Sequence, residues 1–150
     1  MKNREYFMKI AIEEAKQAMK EDEVPVGAVI VKEGKIISKA HNQKEQIHSP
    51  LAHAEMIAIN EACQKLNTTY LEDCELYVTF EPCMMCTGAI INSRLKTVIF
   101  GASDLRFASL ESIFLQIQQK QFNYQPMYFS GVLGKECANL MTKYFNSKRK

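Results

Sequence analysis

Residues 74–86 read Cys-Glu-Leu-Tyr-Val-Thr-Phe-Glu-Pro-Cys-Met-Met-Cys. The first seven, rich in β-branched and aromatic side chains, predict a strand. Pro82 then suits a helix start, where a missing N–H costs no hydrogen bond, and the apolar residues beyond it predict a helix over about 83–93. A strand running directly into a helix is the repeating step of an α/β protein. The flanking sequence extends that step in both directions. Downstream, Thr97 to Phe100 forms a strand expected to end at Gly101. Upstream, residues 52–66 predict a helix whose buried face carries Ile57, Ala58, Ala62 and Leu66. Residues 27–31 and 35–40 are short apolar runs joined by the Lys32-Glu33-Gly34-Lys35 turn, which predicts a hairpin.

At the start of the chain, Phe7, Ile10, Ala11, Ala15 and Ala18 recur at helical spacing, and Glu21-Asp22-Glu23 with Pro25 stops that helix. Leu110, Ile113, Phe114 and Ile117 predict another helix, and residues 128–132 a short last strand. Cys137, Leu140, Met141, Tyr144 and Phe145 place one apolar face on a terminal helix. Alternation of this kind predicts an α/β fold, a three-layer α-β-α sandwich around a mixed, mostly parallel five-stranded sheet. No internal repeat or Gly/Ser linker divides the chain, so residues 1–150 are expected to form a single domain.

No apolar run reaches the roughly 18 residues of a membrane span. Met1 to Met19 is broken by charge every few residues and lacks the apolar centre of a signal peptide, so the expected compartment is the cytoplasm. The net charge of +2 is unevenly spread. Lys135, Lys143, Lys148, Arg149 and Lys150 against Glu136 give the C-terminal end +4 and leave residues 1–134 at −2. A basic end on a nearly neutral body suits contact with nucleic-acid phosphates, and equally a solvated helix terminus. Among the five cysteines, Cys63, Cys74 and Cys137 stand alone in apolar patterns and read as small buried hydrophobes. His41 and His48 read as exposed loop residues.

Cys83 and Cys86 differ from the other three. Three residues apart at a helix start, their sulfurs lie a turn apart on one face and can converge on one ion. A lone Cys-x-x-Cys is also compatible with a redox dithiol or half of a structural zinc site. His53, at the start of the preceding helix, is the best third ligand, and two thiolates with one imidazole suit zinc. Three protein ligands leave a fourth position for water, whose pKa the ion lowers toward neutrality. Glu55, two residues beyond His53, can reach that water without ligating the metal and move its proton. A non-catalytic zinc-binding module would have no use for such a carboxylate.

With these residues in view, the sequence resembles the cytidine and deoxycytidylate deaminase superfamily, and within it the bacterial tRNA-specific adenosine deaminases. The superfamily is a standard case of H-x-E paired with P-C-x-x-C. The likeness rests on Glu23-Val24-Pro25-Val26-Gly27-Ala28-Val29, Ala40-His41-Asn42, Ala52-His53-Ala54-Glu55-Met56 and the stretch Leu76 through Cys86. It continues through Ser93-Arg94, Val98-Ile99-Phe100-Gly101-Ala102 and Gly131-Val132-Leu133. The resemblance implies a cytidine deaminase-like fold, Zn2+ held by His53, Cys83 and Cys86, and Glu55 as catalytic proton shuttle. It further implies substrate contacts from Asn42, Val26, Ala54 and Pro82, with Arg106 and Phe145 nearer the nucleic acid. The substrate it implies is the wobble adenosine of a tRNA anticodon loop, converted to inosine by a homodimer.

Leu105-Arg106-Phe107-Ala108-Ser109-Leu110-Glu111-Ser112 departs from the family pattern, which carries a Lys and small, often Gly-rich residues there. That departure motivates an alternative substrate, a free small nucleobase or nucleoside of the guanine or cytosine type.

Overall fold

The computed structural model describes residues 3–103 and 124–148. The expected helix around Leu110 to Ile117, and with it Arg106, lies outside the described residues. Helix α1 spans Arg4–Lys20, and the Asn3 side chain accepts a hydrogen bond from the Tyr6 N–H at 3.0 Å, capping its first turn. It buries Phe7, Met8, Ala11, Ile12, Ala15 and Ala18.

Strands β1 (Gly27–Lys32) and β2 (Lys35–His41) follow as the expected hairpin. Glu33 and Gly34 have φ of 51° and 77°. Positive φ at both central residues is the type I′ turn, whose twist matches that of paired strands. Helix α2 (Ala54–Leu66), β3 (Cys74–Phe80), α3 (Met84–Asn92) and β4 (Thr97–Ala102) come next. β5 (Met127–Phe129) and a terminal helix, α4 (Gly134–Lys148), close the chain. Strand β4 runs through Gly101 rather than ending there, because Phe80 pairs with Ala102 and Gly101 lies against α4.

The five strands lie in the order β2-β1-β3-β4-β5. β1 is antiparallel to both β2 and β3, while β3, β4 and β5 pair in parallel. β1 alone therefore runs against the other four. The period-2 alternation of the strands separates two cores. Ala28, Ile30, Leu76, Val78, Val98 and Phe100 face α2 and α3. Val29, Val31, Tyr77 and Ile99 face α1 and the start of α4. Helices on both faces of one mixed sheet give the three-layer arrangement that the alternation of elements predicts.

Two glycines mark where layers touch. A Cβ on Gly27 would lie 1.9 Å from the Ala11 carbonyl oxygen, so α1 crosses directly on the β1 backbone. A Cβ on Gly101 would lie 2.3 Å from the Cys137 sulfur. Both approaches depend on the missing side chain. The apolar face of α4 is not buried as one surface: Cys137 is fully buried, whereas Phe145 is 44% exposed. Among the described residues, no helix is long and apolar enough to cross a membrane.

Candidate active site

Parallel strands connected through helices bring helix N-termini to one edge of a sheet. His53 is the N-cap of α2 and Cys83 the N-cap of α3, both with extended backbone, and neither side chain caps its own helix. Their polar atoms are thereby free to face each other. Cys86 stands on the first turn of α3 and is fully buried.

The ligand atoms of His53, Cys83 and Cys86 all lie within 4.8 Å of one another. Nδ1 of His53 is 3.6 Å from each sulfur. A tetrahedral zinc with Zn–N near 2.0–2.1 Å and Zn–S near 2.3 Å requires N···S edges of about 3.5 Å. The donor set therefore fits zinc in both chemistry and spacing.

The electrostatics of the group agree. A hydrogen bond with Cys86, reinforced by His53, pulls the Cys83 thiol down to about 3 against the opposing effect of burial. The same bond, with burial, pushes the Cys86 thiol upward. His53 is raised mainly by its bond to Cys83. A divalent cation placed among the three ligand atoms would favour both thiols as thiolates and displace their protons.

Glu55 is 3% exposed, and burial pushes its carboxyl up to about 7. A carboxyl poised near neutrality can both accept and return a proton. It lines a cavity of about 480 Å³ together with His53, Cys83, Val24, Val26, Asn42, Lys44, Phe80, Glu81 and Met141. A larger groove of about 590 Å³ between α1 and α4 contains none of the metal-binding side chains.

Of the residues singled out in the sequence, Val26, Asn42, His53, Glu55 and Cys83 meet at this cavity. Ala54 and Pro82 are buried in the flanking elements, off its lining. Phe145 lies on exposed α4, its ring 5.3 Å from that of Tyr144, and is not among the lining residues. Lys148 of the basic end pairs with Asp22.

Other features were not legible in the sequence. His41 is no exposed loop residue: it ends β2, 13% exposed, with Nδ1 2.9 Å from Glu14 and Nε2 3.0 Å from Glu21. Met141 reaches the cavity from α4, and its only signal was membership of an apolar helix face. Glu23, whose place in an acidic run predicts only a helix stop, is 1% exposed and accepts a hydrogen bond from Asn42.

A family model described as MafB19-like deaminase matches residues 1–149. The chain is 49% identical over 146 residues to the tRNA-specific adenosine deaminase of Aquifex aeolicus (strain VF5), covering 97% of this chain and 96% of that protein. It is 46% identical to the protein of the same name from Bacillus subtilis (strain 168), covering 97% and 91%. A solved structure from studies of A-to-I editing by tRNA:A34 deaminases superimposes with a TM-score of 0.86 at 36% identity, covering 91% of this chain and 99% of that one.

Proposed function

The chain belongs to the MafB19-like deaminase family, and we propose that it hydrolyses the wobble adenosine of a tRNA anticodon loop to inosine. The observation that carries this reading is the buried Glu55 carboxyl on the wall of a cavity that also holds a His-Cys-Cys donor group. Near full-length likeness to proteins named for that reaction supports the choice of substrate.

His53 Nδ1 and the two thiolates would hold Zn2+, which when bound supplies Lewis acidity and a water acidified toward neutrality. Glu55 takes one proton from the attacking water and delivers it to N1 of the purine, then carries the second, from the hydroxyl newly placed on C6, to the departing amine. The C6–O bond forms first, with C6 becoming tetrahedral, and the C6–N bond then breaks to release ammonia and leave the C6 carbonyl of inosine. Asn42 hydrogen-bonds the purine edge, since its amide offers both donor and acceptor. Val26 forms an apolar wall, with Ala54 and Pro82 fixing the backbone on either side. An anticodon loop already exposes its base, so the cost of extracting it is small. Phe145 offers an exposed ring on which a neighbouring base can stack, and Arg106 a charge for the backbone.

Residues 1–150 act as one domain in this reading, in the cytoplasm, as a homodimer. Support for the dimer comes from Ile47, Leu51 and Met84, which are 56%, 58% and 72% exposed. Ile47 and Leu51 rim a shallow cavity with Met56, Ile57 and Ala89. Exposed apolar side chains gathered at the rim of one cavity, as Ile47 and Leu51 are, mark contact surfaces.

The test is a substrate panel for the zinc-loaded chain. An adenosine-34 stem-loop is set beside free adenine, guanine, cytosine and their nucleosides. Inosine in the stem-loop is expected. Ammonia released only from a free base or nucleoside overturns the tRNA reading.

A further inference from the structure

Glu23 is among the most deeply buried charged side chains described, at 1% exposure. Its Oε1 accepts from Asn42 Nδ2 at 3.3 Å and from the Glu45 N–H at 3.2 Å, and its Oε2 accepts from the Gln46 N–H at 2.7 Å. The Asn42 backbone is separately fixed, its N–H donating to the Val26 carbonyl at 3.1 Å. We propose that Glu23 is a positioning residue that sets which way round the Asn42 amide faces the substrate base, an inference resting on the base-contact role of Asn42 given above.

The two ends of an asparagine amide are nearly the same shape but opposite in hydrogen-bonding character. A cavity lined by an unconstrained amide would present either end. Glu23 meets Asn42 only with acceptor oxygens, so the arrangement with Oδ1 turned toward Glu23 sets oxygen against oxygen in a buried site and is rejected. Nδ2 must face Glu23, which leaves Oδ1 and the second N–H of Asn42 to other partners. The same carboxylate holds the backbone of Glu45 and Gln46, next to cavity-lining Lys44. One side chain thus sets the orientation of the base contact and anchors the loop beside it.

Glu23→Gln removes the constraint with little change of volume, because its amide can meet Asn42 with either end. The deciding experiment is a double-mutant cycle of Glu23→Gln and Asn42→Ala, reading kcat/KM on the adenosine-34 stem-loop with zinc content measured alongside. In the otherwise native chain, Glu23→Gln is expected to lower kcat/KM by about ten- to a hundredfold, the scale of a misplaced contact, with zinc unchanged. In the Asn42→Ala background its effect is expected to shrink to the small part that comes from the Glu45–Gln46 backbone alone. Losses that simply multiply would mean that Glu23 acts independently of Asn42, and would overturn the proposal while leaving the deaminase reading intact. An unmodified chain inactive on the stem-loop would overturn both. Should Glu23→Gln fail to fold, the native protein still decides: its Asn42 side-chain amide should show slowly exchanging protons by NMR. Rapid, solvent-like exchange there would overturn the proposal.

Discussion

On one side of the cavity His53, Glu55, Cys83 and Cys86 stand on the first turns of α2 and α3, spaced two and three residues apart within single helices. On the other side Val24, Val26 and Asn42 come from a loop and strand ends, held by Glu23 and faced by Met141 from the far end of the chain. The first side is set by local geometry, since a helix start fixes its residues relative to each other whatever else the chain does. The second exists only when distant segments are packed together. Proton and metal chemistry, which needs the tighter placement, stands on the more rigid elements. Recognition, which requires a particular shape and amide orientation, rests on tertiary contacts.

That contrast is most strongly tested by Glu55→Ala against Cys83→Ala. Removing the carboxyl should lower turnover by roughly 10²–10⁴-fold, the usual scale of general acid–base catalysis, while bound zinc stays at one per chain. Removing the thiol should take away zinc and activity together. Metal analysis beside initial rates distinguishes the two, and a Glu55→Ala protein that retained full activity would remove the proton-shuttle role.

Gly27→Ala probes the opposite side. Its added Cβ meets α1 backbone atoms at 1.9 and 2.6 Å, which cannot yield as a flexible side chain would. Thermal or denaturant unfolding should show a loss of about 1–3 kcal/mol, as for other overpacked interiors. Zinc content should hold, because the α2 and α3 helix starts lie on the other face of β1. Zinc loss without destabilisation would show the two sides to be coupled.

The smallest effect is expected at His41. Burial opposes its charge, but hydrogen bonds to Glu14 and Glu21 outweigh that and raise its pKa above the ordinary 6.5. Glu21 is lowered from 4.5 by Gln17 and then by His41. A raised histidine contributes stability that is fully present below pH 6.5 and lost as pH rises through the folded value. A lowered carboxyl contributes above 4.5 and loses that contribution as pH falls through its folded value. The stability advantage of the native chain over His41→Gln, about 1 kcal/mol or less for such a partly exposed cluster, should therefore be widest between pH 4.5 and 6.5. Chemical denaturation across pH 4 to 9 measures it; an advantage that grew toward alkaline pH would contradict the arrangement.

The sequence by itself determined the order of helices and strands among the described residues and the pairing of His53-x-Glu55 with Cys83-x-x-Cys86. Each of these is a periodicity or spacing within one element, and a helix or strand converts spacing directly into direction. Tertiary structure alone decided the strand order β2-β1-β3-β4-β5, that Glu23 is a buried partner of Asn42, and that His41 sits between two carboxylates. It also divided the apolar face of α4, sending Cys137 into the core, Met141 to the cavity and Phe145 toward solvent. Asn42 and Glu23 are 19 residues apart, and His41 and Glu14 27. No local pattern encodes such a pair, because a polar residue near a turn reads the same whether it is solvated or, as here, carried inside by the packing of α1 against the hairpin.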